Sequence, residues 1–293
     1  MTATIAAADQ AFEAKLGAMR PRLHRYCARM TGSTIDGEDV VQDALMKAFA
    51  ARASFGALDN AESWLLRIAH NAALDFLRRR ARQPILEDEE ALDLVAAADP
   101  PDPEIAETSL KTFLLLPALQ RSAVILRDVL GHSQEEAAAI TQVSAAALKS
   151  ALQRGRERLR ALARAPQAPG VVAIDAASRA RLSAYVEGFR TGDFDAVRAM
   201  LAEDVRLDLV ARLKRQGKGE VGEYLGRYAA TRQWAFGAAV IDGQAAMLVY
   251  DHDVSLSTPA YFVALAFDAD RVVAIRDYLF TRYVLDGAEV QDL

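Results

Sequence analysis

The 293-residue sequence contains a single cysteine, Cys27. No intrachain disulfide can form, and the chain does not read as a secreted, disulfide-stapled scaffold. No stretch approaches the roughly 20 uninterrupted apolar residues that a membrane-spanning helix needs. The opening segment, MTATIAAADQAFEAK, lacks a basic start and is interrupted by Asp9, so it does not read as a signal peptide. A soluble cytoplasmic protein without a membrane partner is expected. The chain also lacks net positive charge, with a formal value of −5, which taken whole argues against a nucleic-acid partner. The total conceals a pattern. Residues 1–85 carry 12 Lys/Arg against 9 Asp/Glu, residues 86–110 none against 9, residues 111–170 9 against 4, and residues 171–293 14 against 18. Two basic blocks therefore flank an acidic segment and precede a mildly acidic one, and such asymmetry is a better guide to nucleic-acid contact than the sum.

Hydrophobic residues make up 52% of the chain, enough for a core in each of two or three domains. Glycine and proline are sparse between residues 10 and 83, where apolar positions recur at helical spacing. The stretch 84–108 opens with Pro84, runs through EDEE at 87–90 and ends in DPPDPE at 99–104. Prolines and like charges there indicate an extended linker. Residues 109–164 are helical again, and APQAPG at 165–170 ends that block. From 176 to 202 one or two helices are expected, with a turn at Gly192-Asp193. VRLDLV at 205–210 alternates as a half-buried strand does. AAVIDGQAAMLVYDHDV at 238–254 reads as a hairpin turning at Asp242-Gly243. AYFVALAFD and RVVAIRDYLF read as a second hairpin, joined through Asp268-Ala269-Asp270. Helices followed by an antiparallel sheet make an α+β pattern.

Three segments carry chemistry. DGEDVVQDALMKAFA at 36–50 is amphipathic: Asp36 is a candidate N-cap, Val41, Ala44, Leu45, Ala48 and Phe49 form an apolar stripe, and Asp39, Gln42 and Asp43 a polar edge. In WLLRIAHNAALDFLRRR at 64–80, Arg67, Asn71 and Arg78 fall within roughly 40° of one another, and Arg78, Arg79 and Arg80 close the helix. Cations at a helix C-terminus also answer the macrodipole, but an Asn among arginines suits phosphate positioning and base-edge reading. Phe55 and Trp64 bracket a loop that includes Asn60 and could hold an unstacked base; Trp64 alone reads better as core. In the third segment, 116–162, Ser133 and Glu136 form a capping box before a short helix at 134–141. Ser144 caps the next helix, whose Leu148, Leu152, Gly155, Leu159 and Leu162 make a core stripe with Lys149, Gln153, Arg156 and Arg160 opposite. A basic second helix in such a pair is how helix-turn-helix modules enter the major groove.

The first two segments together resemble region two of the extracytoplasmic-function (ECF) sigma factors, and the third resembles region four. The resemblance covers roughly residues 12–162. It implies that Asp39, Gln42 and Asp43 bind the β′ clamp helices of core RNA polymerase, with the β flap as a further polymerase contact. It implies that the promoter −10 element is met by Phe55, Asn60, Arg67, Asn71, Arg78, Arg79 and Arg80. For the −35 element it implies Lys149, Ser150, Gln153 and Arg154 at the bases, with Arg156 and Arg158 at phosphate. Two departures stand out: Gln142 occupies the position of the usual turn glycine, and Ala151 that of a common basic residue.

Residues 176–290 resemble the SnoaL-like group of the NTF2-like superfamily, through YVEGFRTGDFDAVRAMLAEDVRLDL, IDGQAAMLVY and DADRVVAIRDYLFTRY. That implies a cone of helices closed over a curved antiparallel sheet, with a central pocket and the prospect of a small-molecule ligand. Candidate pocket residues are Trp234, Tyr250, His252, Tyr261 and Asp277, with Asp251 and Asp253 also considered; Tyr250 and His252 share one strand face, Asp251 and Asp253 the other. In sigma factors with such an extension, the extension is thought to regulate the sigma portion. The WLPEP-like linker motif and DGGGK-like extension motif of one such group are absent here. The expected organisation is two all-α sigma domains, 10–85 and 109–164, joined by an acidic linker at 86–108 and followed by an α+β domain at 171–293. No catalytic residue, cofactor or metal is expected. Two rivals to promoter-specific initiation stand: a DNA-binding regulator acting without polymerase, and a pocket enzyme of the NTF2-like isomerase or cyclase type.

Overall fold

A computed structural model describes residues 2–52, 61–80, 102, 105, 108–164, 174–229 and 233–293. The chain divides into two compact units, Met1–Ala168 and Pro169–Leu293.

The first unit is helical among the described residues. Helices α1 (Thr2–Thr31), α2 (Thr34–Ala50) and α3 (Ala61–Arg80) come from the first basic block. A short turn of helix, α4 (Leu110–Phe113), precedes α5 (Ala118–Val124), which runs into a π-helical turn at Ile125–Val129. Helices α6 (Gln134–Thr141) and α7 (Ala145–Arg164) follow. The cap of α2 is Ser33 rather than Asp36: the Ser33 hydroxyl accepts from the Asp36 N–H at 3.2 Å, and Asp36 lies inside the first turn, where its charge suits the helix dipole. Gly37 lets α1 and α2 approach closely, since a Cβ there would stand 2.6 Å from the Ala28 backbone. The sequence separates the two basic blocks, yet their buried side chains form one cluster. Leu23, Tyr26 and Met30 of α1 and Leu65 and Leu66 of α3 belong to the same core as Ile125, Leu148 and Leu152. Cys27 is buried there too, and burial pushes its thiol pKa up, so it packs as a small apolar residue.

The second unit is α+β, as expected. Helices α8 (Ala176–Thr191) and α9 (Phe194–Ala199) lead into β1 (Leu201–Leu209) and β2 (Leu213–Gln216). Helix α10 (Lys218–Ala229) is followed by β3 (Trp234–Ile241), β4 (Gln244–Asp251), β5 (Tyr261–Asp268), β6 (Arg271–Asp277) and β7 (Val290–Asp292). The seven strands form one sheet in the order β2-β1-β6-β5-β4-β3-β7. Both expected hairpins are present: Asp242 and Gly243 turn the first at φ 50° and 85°, and Ala269 turns the second at φ 45°. The sheet is mixed rather than wholly antiparallel, because β1 pairs with β6 in parallel. Phe189 of α8, Phe194 of α9 and Leu225 of α10 bury against Leu207, Val249 and Ile275 of one sheet face.

Candidate functional site

The polar edge of α2 stands as the pattern requires. Asp39, Gln42 and Asp43 are half-buried while Val41, Ala44 and Ala48 are buried. Lys47 lies 2.9 Å from the Asp43 carboxylate and 3.8 Å from that of Asp75. Glu38, which the sequence pattern did not single out, is fully buried and paired with Arg20 of α1.

On α3, Arg67, Asn71, Arg78 and Arg79 are exposed. Arg78 donates to Asp75 at 3.2 Å. Arg80 is exposed but paired with Asp36 of α2, and its guanidinium lies over the Phe76 ring. Trp64 is half-buried against the core, which favours its packing role. Phe55 and Asn60 lie outside the described residues.

The helix-turn-helix forms with the expected caps. Ser133 accepts from the Glu136 N–H at 3.1 Å, and the Glu136 carboxylate accepts from the Ser133 N–H at 2.7 Å. Ser144 caps α7 through the Ala147 N–H at 3.1 Å. Gln142 takes the turn glycine's conformation, at φ 61° and ψ 35°, left-handed backbone that costs a side-chain-bearing residue free energy. On α7, Gln153 and Arg158 are exposed, and Lys149, Ser150 and Arg154 are half-buried, with Arg154 donating to Ser150 at 2.9 Å. Arg156 corrects the expectation of a phosphate contact. It is 4% exposed and donates through Nε and Nη2 to both oxygens of the buried Asp128, at 3.0 and 2.5 Å. Two parallel charge-assisted bonds hold it on the core side of α7.

The two basic blocks are also tied by polar groups that the sequence did not flag. The Tyr26 hydroxyl of α1 lies 2.7 Å from Nδ1 of His70 on α3 and 3.3 Å from the Ser122 hydroxyl on α5. Burial, with a smaller contribution from Arg78, lowers the His70 pKa to about 4, so the ring is neutral near neutral pH. Arg121 of α5 donates to the Met30, Leu116 and Leu114 carbonyls at 2.5, 2.9 and 3.2 Å. It thereby satisfies the Met30 carbonyl at the end of α1, which the helix itself leaves open, and two carbonyls in the turn between α4 and α5. Arg22 donates to the Leu130 carbonyl at 2.7 Å.

The second unit holds a cavity of about 450 Å³. Of the expected pocket residues, Trp234 and Tyr261 line it. Asp277 sits behind the wall, 1% exposed, with Oδ2 accepting from the Tyr224 and Tyr228 hydroxyls at 2.7 Å each and Oδ1 from the Leu279 N–H at 2.9 Å. Burial raises its pKa, and the phenol bonds oppose that shift. Tyr250 and His252 do not line the cavity, which corrects their assignment. Tyr250 lies on the face of β4 opposite Met247 and Val249, and His252 falls past the end of β4, exposed in a turn. Asp251 is buried instead, accepting from the Gln233 side chain at 3.1 Å and the Asp253 N–H at 3.0 Å, while Asp253 is exposed in the same turn. Tyr224, Tyr228 and Arg227, all on α10, and Arg212 complete the polar lining. Among the described residues no cluster of His, Cys, Asp and Glu is arranged to hold a metal ion, and no helix is long and apolar enough to cross a membrane.

Residues 17–83 match the family model of Sigma-70 region 2, and residues 110–159 that of Sigma-70, region 4. The chain is 34% identical over 161 residues to the ECF RNA polymerase sigma factor SigM of Mycobacterium tuberculosis, a match covering 54% of this chain and 80% of that protein. The chain belongs to the ECF sigma factor family. To SigG of the same species it is 31% identical over 212 residues, covering 63% of this chain and 57% of SigG. It thus spans little more than half the length of that relative. Among solved structures, the extracytoplasmic function sigma factor SigJ of M. tuberculosis aligns with 90% of this chain and 95% of its own, at 19% identity and a TM-score of 0.36. In terms of this ECF family the helical unit holds both matched regions, and the cavity lies beyond them in the second unit.

Proposed function

We propose that this ECF sigma factor binds core RNA polymerase in the cytoplasm and directs promoter-specific initiation. We assign polymerase and −10 contacts to residues 10–85, −35 contacts to 109–164, the acidic linker to 86–108, and a regulatory domain to 171–293. The observation that carries the reading is the joint presence, in one chain, of an exposed Arg67–Asn71–Arg78 face on α3 and a fully capped helix-turn-helix whose α7 presents Lys149, Gln153, Arg154 and Arg158. A regulator that works without polymerase has no use for the first of these together with the half-exposed acidic edge of α2. The test is run-off transcription with core polymerase, using the full chain and a version ending at residue 168. Charge reversal of Asp39 and Asp43 to Lys should weaken holoenzyme assembly. Asn71→Ala should reduce promoter opening, read by permanganate footprinting. Lys149→Ala should weaken closed-complex binding by about 1–3 kcal/mol in gel shifts. Failure of both at the same step overturns this division of labour.

We read the second unit as non-catalytic. The hydrogen-bond arithmetic around Asp277 supports this. The Tyr224 and Tyr228 hydroxyls donate to Asp277, so the Tyr228 oxygen accepts from Tyr261, 3.0 Å away. With Asp277 ionised, all three phenol protons point inward, and the carboxylate has no open approach for abstracting a proton from a ligand. A general base needs that approach. We read the unit instead as a regulator of the sigma portion within the same chain, so removal of residues 171–293 should change promoter output.

A further inference from the structure

Several strand ends of the second unit meet around its cavity. Trp234 opens β3, Tyr261 opens β5, Leu209 closes β1 and Leu213 opens β2, while Leu279 and Phe280 follow β6. At about 450 Å³ the space falls in the range of small-molecule sites, roughly 300–1,000 Å³. Its inner polar groups are spent on one another. The Tyr224 and Tyr228 hydroxyls donate to one Asp277 oxygen, the Tyr261 hydroxyl lies 3.0 Å from that of Tyr228, and the other Asp277 oxygen accepts from the Leu279 N–H. No phenol proton is left over for a guest. The guanidiniums of the lining lie on ring faces, Arg212 over Phe280 at 4.5 Å to the centroid and Arg227 over Tyr224 at 5.6 Å, and both residues are exposed to water. Apolar side chains gather at the same end of the sheet. Asp251 pairs with Trp234 at the end of β4, and the turn from there to Tyr261 exposes Val254 and Leu256; Phe280 is exposed just past the end of β6.

We propose that this cavity binds a neutral, largely apolar ring compound, seated on Trp234, Leu213 and Leu279 and covered by Phe280. The proposal rests on reading the second unit as a regulatory domain, and it concerns binding alone. The walls gain from any apolar surface taken out of water. An anion inside would meet the Asp277 charge and no inner donor. A cation would shed its water without reaching Asp277, whose oxygens are closed off by three donors. Either ion loses hydration that the interior does not replace, and only a neutral guest keeps the full gain from the walls. The exposed apolar side chains at this end of the sheet add surface for the same guest to cover.

The experiment uses the full-length chain without polymerase, so its outcome is independent of transcription. Calorimetric titration compares three probes of similar shape: neutral 1-naphthalenemethanol, anionic 1-naphthoate and cationic 1-naphthylmethylammonium. The wild type should bind one equivalent of the neutral probe about tenfold or more tighter than either ion, because only the ions lose hydration unpaired. Its affinity should stay within about twofold between low and high salt, since no ion pair is there to be screened. Leu213→Trp, at a half-buried lining position on the edge strand β2, should weaken the neutral probe about tenfold or more by filling the space. Phe280→Ala, at an exposed position, should weaken it about threefold or more through lost cover, and it carries the same test if Leu213→Trp fails to fold. No binding at millimolar neutral probe, an ion that binds as tightly as the neutral probe, or neutral binding that neither variant disturbs would each overturn the proposal. Binding on these terms with run-off transcription unchanged by saturating probe would support the ligand class and sink the regulatory reading alone.

Discussion

In the helical unit, the buried carboxylates Glu38 and Asp128 each face a guanidinium, Arg20 and Arg156. In the second unit, the buried carboxylate Asp277 faces two phenols and a backbone N–H. The difference follows from what each group borders. Glu38 and Asp128 lie between helices, where a paired charge ties one segment to another and fixes register. Asp277 borders a cavity, where a free guanidinium partner would fill the space and a bare carboxylate would charge it. Phenols keep the carboxylate satisfied while presenting rings to the cavity. The helical unit therefore uses these buried pairs to tie helices together within each sigma region, and the second unit uses its own carboxylate to hold a space open.

The largest effect should come from breaking a pair of the first kind. Asp128→Ala removes the carboxylate that the buried Arg156 guanidinium faces and should cost about 3–5 kcal/mol in urea unfolding, the usual penalty for breaking a buried ion pair. Asp128→Leu with Arg156→Met should recover most of it, because an apolar pair of similar volume needs no desolvation. A loss below about 1 kcal/mol for Asp128→Ala would mean that the pair is solvated in solution and would return Arg156 to the list of phosphate contacts.

A smaller effect, about 3 kcal/mol at most, should appear as a pH dependence at His70. Its folded pKa is about 4 against an ordinary 6.5. Between those values the unfolded chain takes up a proton that the folded chain refuses. Stability from this group is therefore complete above pH 6.5 and is lost as pH falls from 6.5 towards 4. Urea midpoints measured across this window should slope more steeply for the wild type than for His70→Gln. Parallel slopes would show that the ring is exposed to solvent and that the Tyr26–His70–Ser122 contact does not join the regions in solution.

What could be read from the sequence divides along the same line. The capping box at Ser133, the Ser144 cap and the Asp242-Gly243 turn were legible because each is set by residues within a few positions. Gln142 stood out only through the family resemblance, as the occupant of the usual turn glycine's position, and its backbone takes that glycine's left-handed conformation. Helix α10 was not, because Gly219, Gly222 and Gly226 dilute its helical signal, and with it went Tyr224, Tyr228 and Arg227 of the cavity. The parallel β1–β6 pairing and the Arg156–Asp128 pair join positions too far apart for local pattern to reveal. Arg156 nonetheless carried a usable signal. At about 100° per residue it falls roughly 40° from Leu152, inside the apolar stripe rather than opposite it, and a basic residue there points to a buried partner.

The smallest effect on stability, and the sharpest on function, concerns the ion pair of Arg80 with Asp36. It resembles the buried pairs in chemistry and differs in setting. The Arg80 side chain is 61% exposed and that of Asp36 18%, so solvent and salt screen the attraction and its worth should be under about 1 kcal/mol. Asp36 also sits in the first turn of α2, where Asn keeps the polar contact and surrenders only the charge. Asp36→Asn should therefore leave the unfolding midpoint nearly unchanged. Its consequence should fall on DNA: Arg80 lies beside Arg78 and Arg79 at the end of α3, and an anion held against it competes with phosphate. Without that anion, affinity for promoter DNA should rise and the dependence of log affinity on log salt should steepen by about one phosphate's share. An unchanged salt slope would remove Arg80 from the DNA-facing set and leave it as a tie between α2 and α3, aligned with the buried pairs rather than with Arg67 and Asn71.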